Sequence, residues 1–276
     1  MDYNILDENL EKMQPYFKKW FRESNIMLLD SNLKSINHEV QVCAAFNPKN
    51  AICQQYMYSI YNAFYELVKT YCYSISAYSI EKELKEKGEA EWSNYWKYEV
   101  KNYYFRSIIP RCFSILDYIA VMIDELSGRI LITNIHDVDF ERIKDALLKV
   151  KDKYKVGWLT EKDIKEVNEI LEYVYADVTE KEKEILRPYR NEETHRYLVG
   201  IDELTVSIQR RKLTEGDKEL FKTKSGYVYS IKSKPEYEFA ELNAIVEKLI
   251  KNLDLVISKL SEIDIMKDVL TINEIE

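Results

Sequence analysis

Apolar side chains recur at three- and four-residue steps along most of this sequence. Met57, Ile60, Tyr61, Phe64, Leu67, Val68, Tyr71, Ile75 and Tyr78 trace one buried face of a long helix. The polar tract EKELKEKGEAE follows, and Gly88 marks its break. A second long helix is predicted from residue 92 or 102 to residue 126, bent near Pro110. Phe105, Ile108, Ile109, Cys112, Phe113, Leu116, Ile119, Ala120 and Ile123 form its apolar face. Ser127-Gly128 closes it with a residue that tolerates a left-handed cap.

Residues 129–138 (RILITNIHDV) read as extended or irregular. Shorter helices are predicted over 139–154 and 160–175, the latter opened by a Thr160-x-x-Asp163 cap. Thr179 caps another short one, and Pro188 starts a helix reaching to about residue 211. KSGYVYSIK, with Ser225-Gly226 at its bend, resembles a short β-hairpin. A last helix spans 235–260, with Phe239, Leu242, Ile245, Val246, Leu249, Leu253, Val256, Ile257 and Leu260 as its stripe. The expected fold class is all-α, a bundle of long antiparallel helices with one small β-hairpin. Residues 1–52 form an N-terminal helical extension, 53–265 the helical domain with 129–175 as an insert, and 266–276 a tail. There is no fixed-period repeat.

Composition narrows the function classes. Only 6 Gly and 5 Pro in 276 residues favour long helices over a many-turned β fold. The longest apolar run, residues 115–123, contains Asp117 and falls far short of the roughly 20 residues a bilayer requires. The opening MDYNILDENL is acidic and unlike a secretory leader, so the expected location is the cytoplasm. Cys43, Cys53, Cys72 and Cys112 form no CxxC pair and read as reduced core thiols. The formal net charge of −8 argues against a general polyanion binder. Residues 187–212 nevertheless hold six basic residues against four acids, which leaves room for a local basic cleft. Most of the 22 tyrosines fall on or beside apolar stripes, where they fill volume.

Candidate chemistry is sparse. His38 and His136 stand alone, and no histidine has a second His or Cys at ligand spacing. No metal or cofactor is expected on that basis. Gly-rich phosphate loops, GxSxG elbows and HExxH pairs are missing from the sequence. What remains is PYRNEETHRY, residues 188–197. Arg190 offers a planar charged fork suited to phosphate, and His195 a proton carrier near neutral pH. Asn191 can orient a phosphate oxygen or the imidazole. Pro188 as a helix start puts Arg190 and Asn191 in the first turn, where backbone N–H groups favour anions. On one straight helix, however, Arg190 and His195 point about 140° apart. The alternatives are an irregular first turn or a second subunit that completes the site. As plain helix decoration, Glu192 and Arg196 would form an i,i+4 surface pair and His195 would cap or line the core edge.

Arg190-Asn-Glu-Glu-Thr-His195 resembles the Arg, polar residue, three more positions, then His of the HEPN superfamily (higher eukaryotes and prokaryotes nucleotide-binding domains). Phe113-Ser-Ile-Leu-Asp-Tyr-Ile-Ala120 is loosely similar to the second-helix segment of several such domains. A second spacing match, Arg129 to His136, has Ile130 after its arginine and lies in the irregular segment. The resemblance implies a four- or five-helix bundle that dimerises with the motif near the two-fold axis. In active members it implies metal-independent cleavage of single-stranded RNA. Arg190, Asn191 and His195 are then the catalytic set, with Arg187, Tyr189 and Arg196 as substrate contacts. By analogy the protein would be a defence or toxin-type factor, with an antitoxin or other partner protein. The same fold also implies an alternative, a non-catalytic module that binds nucleotide, RNA or a partner protein. A purely structural helical protein is the third reading.

Overall fold

The computed structural model describes residues 3–26, 47–195, 198–204, 208–224 and 226–266, and His38, Cys43 and Arg196 lie outside them. Helix α1 (Tyr3–Glu23) lies along α2 (Pro48–Glu86), which carries the first apolar stripe. Met13 of α1 joins a small buried cluster with Ala77, Ile80, Trp96 and Val100. Trp20 stands edge-on to Tyr71, ring centroids 5.3 Å apart. Helix α2 is continuous through residues 52 and 53, so the expected boundary there falls inside one helix.

The second long helix is four pieces: α3 (Ala90–Tyr95), a π-helical segment (Trp96–Lys101), α4 (Asn102–Arg106) and α5 (Ile108–Leu126). The break comes at Ser107, just ahead of Pro110. Pro110 then sits in the first turn of α5, where its missing N–H costs no intrahelical bond. At the other end, the Gly128 N–H bonds to the Glu125 carbonyl and the Arg129 N–H to that of Asp124, a Schellman closure with Gly128 at φ +68°.

Beyond an irregular stretch with one 3₁₀ turn (Ile135–Asp137), α6 (Phe140–Val150) starts on an Asp139 cap. A two-residue ladder of β1 (Lys155–Val156) and β2 (Leu159–Thr160) leads into α7 (Glu161–Leu171). Thr160 and Asp163 form the expected capping box there. The ladder's turn rests on the end of α5. The Trp158 N–H donates to the Leu126 carbonyl at 2.9 Å, and a Cβ on Gly157 would meet Ser127 C at 2.3 Å. Ile143, Leu147, Ile164 and Val167 of this region belong to the same buried cluster as α2, α5 and α10 (Phe239–Glu262).

Two expectations are corrected in the last third. The helix carrying Pro188, α8 (Glu180–His195), does not reach residue 211, because residues 208–212 form β3 (Ile208–Lys212). Residues 224–232 do not fold back on themselves. Their strand, β4 (Tyr227–Ile231), pairs antiparallel with β3 across the short helix α9 (Glu215–Leu220). Strand pairing depends on a partner distant in sequence, whereas a Ser-Gly pair carries only local turn information. The described chain is mostly helical, with its strands confined to two two-stranded ladders. No described helix is long and apolar enough to cross a membrane.

Candidate functional site

The motif lies on α8, whose start is set well before Pro188. The Thr179 N–H donates to Glu182 Oε2 at 2.7 Å, and Lys248 Nζ sits 2.7 Å from Glu182 Oε1. Pro188 is thus interior to the helix. It leaves the Glu184 carbonyl without its usual donor, a loss that solvent can offset because Glu184 is exposed. Arg190 and Asn191 therefore do not occupy the first turn. They approach the C-terminal end, where outward-facing carbonyls favour cations. Any phosphate here must be held by side chains.

Arg190 points at α5. Its guanidinium lies 5.6 Å from the centre of the Phe113 ring, and Nη2 is 3.7 Å from Asp117 Oδ2. Lys183, Leu186, Arg187 and Arg190 fall on one stripe of α8 and line a cleft of about 540 Å³. Phe113, Phe140 and Tyr175 give it aromatic walls. Four cations and three carboxylates face into it. Lys144 is held by Glu172 at 3.0 Å, and Lys183 by Glu180 at 2.7 Å. Arg187 is exposed and makes no ion pair among the described residues. Burial pushes the Asp117 carboxyl above its ordinary range, and Arg190 pulls it partly back. Burial also raises the Tyr175 phenol, with Glu141 adding to the effect. The cleft can offer a guanidinium pair to an anion and flat surfaces to a planar group beside it.

An adjoining face of α8, which shares Leu186 with the cleft, belongs to the core. Tyr189, expected to touch substrate, is fully buried and stacks edge-on against Tyr237 at 5.0 Å. Its hydroxyl donates to the Arg106 carbonyl at 3.4 Å. The stripe Leu186–Tyr189–Glu192 explains the placement, since three-residue steps keep these positions on one side. Glu192 is likewise buried and accepts from the Tyr237 hydroxyl at 2.9 Å, so it is not half of a surface pair with Arg196. Asn191 is half-buried, and His195, the last residue of α8, follows it by four positions. The His195 side chain lies outside the described ones. Helix continuity puts Asn191 and position 195 on the four-residue row that starts at Arg187, while Arg190 and position 195 diverge by about 140°.

A polar clamp, not foreseen from sequence, fixes the chain directly after the motif. Arg106 donates through Nε to the Val199 carbonyl at 2.9 Å and through Nη2 to Glu203 at 2.6 Å. Asn102 Nδ2 donates to the Ile201 carbonyl at 2.8 Å. Lys101, only 1% exposed, lies 3.1 Å from Asp202 and 3.3 Å from Glu81, with its ammonium 4.1 Å from the Phe239 ring centre. The available signal was the run of polar residues 101, 102 and 106 breaking an apolar helical stretch.

The other Arg-to-His spacing makes no site. Arg129 pairs with Glu125, and His136 is exposed on its 3₁₀ turn. No group of three His, Cys, Asp or Glu side chains among the described residues is placed to hold a metal ion. Fold and cleft together define a mostly helical protein with a cationic, aromatic-walled cleft beside its R-N-x3-H helix. Comparison of the chain with protein-family models, with curated proteins and with solved structures gives no match.

Proposed function

We propose that this chain is a HEPN-type endoribonuclease that cleaves single-stranded RNA without a metal ion, acting as a homodimer. By the same family analogy it would serve as a defence or toxin-type factor. The observation that carries the reading is the Arg187–Arg190 pair in an aromatic-walled cleft, on the helix that ends at His195. RNA holds its own nucleophile: the 2′-oxygen bonds to the adjacent phosphorus while the bond to the 5′-oxygen breaks. One group must take the 2′-hydroxyl proton and another must protonate the leaving oxygen. His195 of one copy as base and His195 of the second as acid satisfy both needs, each worth typically 10²–10⁴-fold. The two Arg190 side chains neutralise the charge that grows on the phosphate. Because Arg190 and position 195 lie on different stripes of α8, assembly from two chains is the simpler geometry.

The experiment is cleavage of single-stranded RNA by the purified protein in EDTA. The expected products carry 2′,3′-cyclic phosphate and 5′-hydroxyl ends, and His195→Ala is expected to cut at least about 100-fold more slowly. Undiminished cutting by that variant, or 5′-phosphate products, would overturn the assignment.

One observation favours the second reading, a non-catalytic binding module. Arg190 already has partners in Asp117 and Phe113. If the protein binds RNA through this cleft but leaves it intact in every buffer, that reading replaces the first.

A further inference from the structure

The β3–β4 ribbon packs little on the other described elements. Its two strands pair with each other, and among the described residues no other element packs broadly on them. None of its described side chains belongs to either buried cluster. The register sets Ile208 opposite Ile231, Arg210 opposite Tyr229 and Lys212 opposite Tyr227. Ile208, Lys212, Tyr227, Tyr229 and Ile231 share one face, because side chains alternate along a strand. That face is open: Ile208 is 59% exposed, Tyr229 65% and Ile231 79%. At the tip, Leu220 and Phe221 are 74% and 57% exposed. A lone two-stranded ribbon is marginal in water, and exposed apolar side chains gathered as Ile208, Ile231, Tyr229 and Tyr227 are here mark an interaction site.

Charge selects the occupant. Residues 208–234 hold eight lysines and arginines against three acids, a net +5 in a chain of −8. The remainder therefore carries −13, so a second copy offers the ribbon a body of opposite net charge. An RNA strand is also anionic, and Tyr227, Tyr229 and Phe221 offer exposed rings, but Ile208, Ile231 and Leu220 beside them have no flat ring for a base to stack on. Aliphatic side chains at this exposure are better matched by protein.

We infer that the ribbon is a dimerisation arm that lies across the acidic body of a second copy of this chain. The inference rests on the homodimer reading above and names the surface that forms it. The arm leaves the body just after residues 199–203, which Asn102 and Arg106 clamp beside the end of α8. Docking it therefore brings the second body next to the motif helix.

The test uses the full chain and the double variant Tyr229→Asp/Ile231→Asp, which removes apolar area and adds charge that the acidic body repels. Ile231→Leu is the control, and circular dichroism checks that the fold is kept. Sedimentation should give a dimer for the parent and the control, and a dissociation constant at least about 100-fold weaker for the double variant. Raising the salt should weaken the parent dimer as well. A monomeric parent overturns the inference. So does a double variant that dimerises like the parent. If that unaffected dimer still cuts RNA, only the arm assignment falls. If it stays dimeric but loses affinity for a labelled single-stranded oligonucleotide, the ribbon is an RNA platform instead. If the double variant is monomeric and cuts RNA at the parental rate, the arm stands and the composite active site falls.

Discussion

The Tyr237 hydroxyl donates to Glu192 Oε2 at 2.9 Å, inside the core, one position past Asn191. This bond ties the lead-in to α10 to the motif helix. Tyr237→Phe keeps the ring against Tyr189 but leaves a buried carboxylate oxygen short of its donor. A loss of about 1–3 kcal/mol is expected, read as a lowered urea midpoint with an unchanged slope. An unshifted midpoint would mean that the bond contributes nothing net.

Arg190→Lys separates charge from shape. The variant keeps one positive charge but loses the planar fork and its face on Phe113. RNA cleavage is expected to fall about 10- to 100-fold, with a melting temperature close to the parent's because Arg190 is half-exposed. Full activity in the lysine variant would show that a point charge suffices.

The start of α8 should make stability depend on pH. Lys248 first, and the Thr179 N–H next, hold the Glu182 carboxylate below its ordinary range. Its contribution is complete above the unfolded value of about 4.3 and is lost as pH falls through the lower folded value. Glu182→Gln is expected to cost about 0.5–1 kcal/mol at neutral pH. The gap between parent and variant should stay constant above the ordinary glutamate range and shrink only as pH falls through the lower folded value, so a gap that does not narrow in acid would exclude the carboxylate as its source.

Three thiols should be silent in the folded protein. Burial pushes Cys53, Cys72 and Cys112 up to about 12, far from the pH at which a thiolate reacts. Alkylation at pH 8 followed by peptide mass mapping should mark these positions only after denaturation. Rapid labelling of any of them in the native state would reveal local opening.

The long apolar stripes were legible because three- and four-residue spacing is a local property. So were the Thr160–Asp163 box and the closure at Gly128, which depend on neighbouring residues alone. Pro188 misled because a start signal is only permissive: the earlier Thr179–Glu182 bonds fix where the helix begins. Tyr189 reads as surface between two arginines, yet its three-residue step from Leu186 puts it in the core. Arg190 was visible as a motif residue, but Phe113 and Asp117 come from α5, and no local pattern joins the two helices. The partner of β4 was hidden for the same reason.

Gly157 gives residues 129–175 a role their sequence did not suggest. The turn that carries it is pressed against the end of α5 so closely that a single methyl group has no room. Ile143, Leu147, Ile164 and Val167 carry that contact on into the shared core. A shortened chain that joined residue 128 to residue 176 would therefore lose a wall of the molecule rather than an ornament. Such a deletion should be recovered as insoluble protein, whereas deletions at the tip of the ribbon should stay in solution.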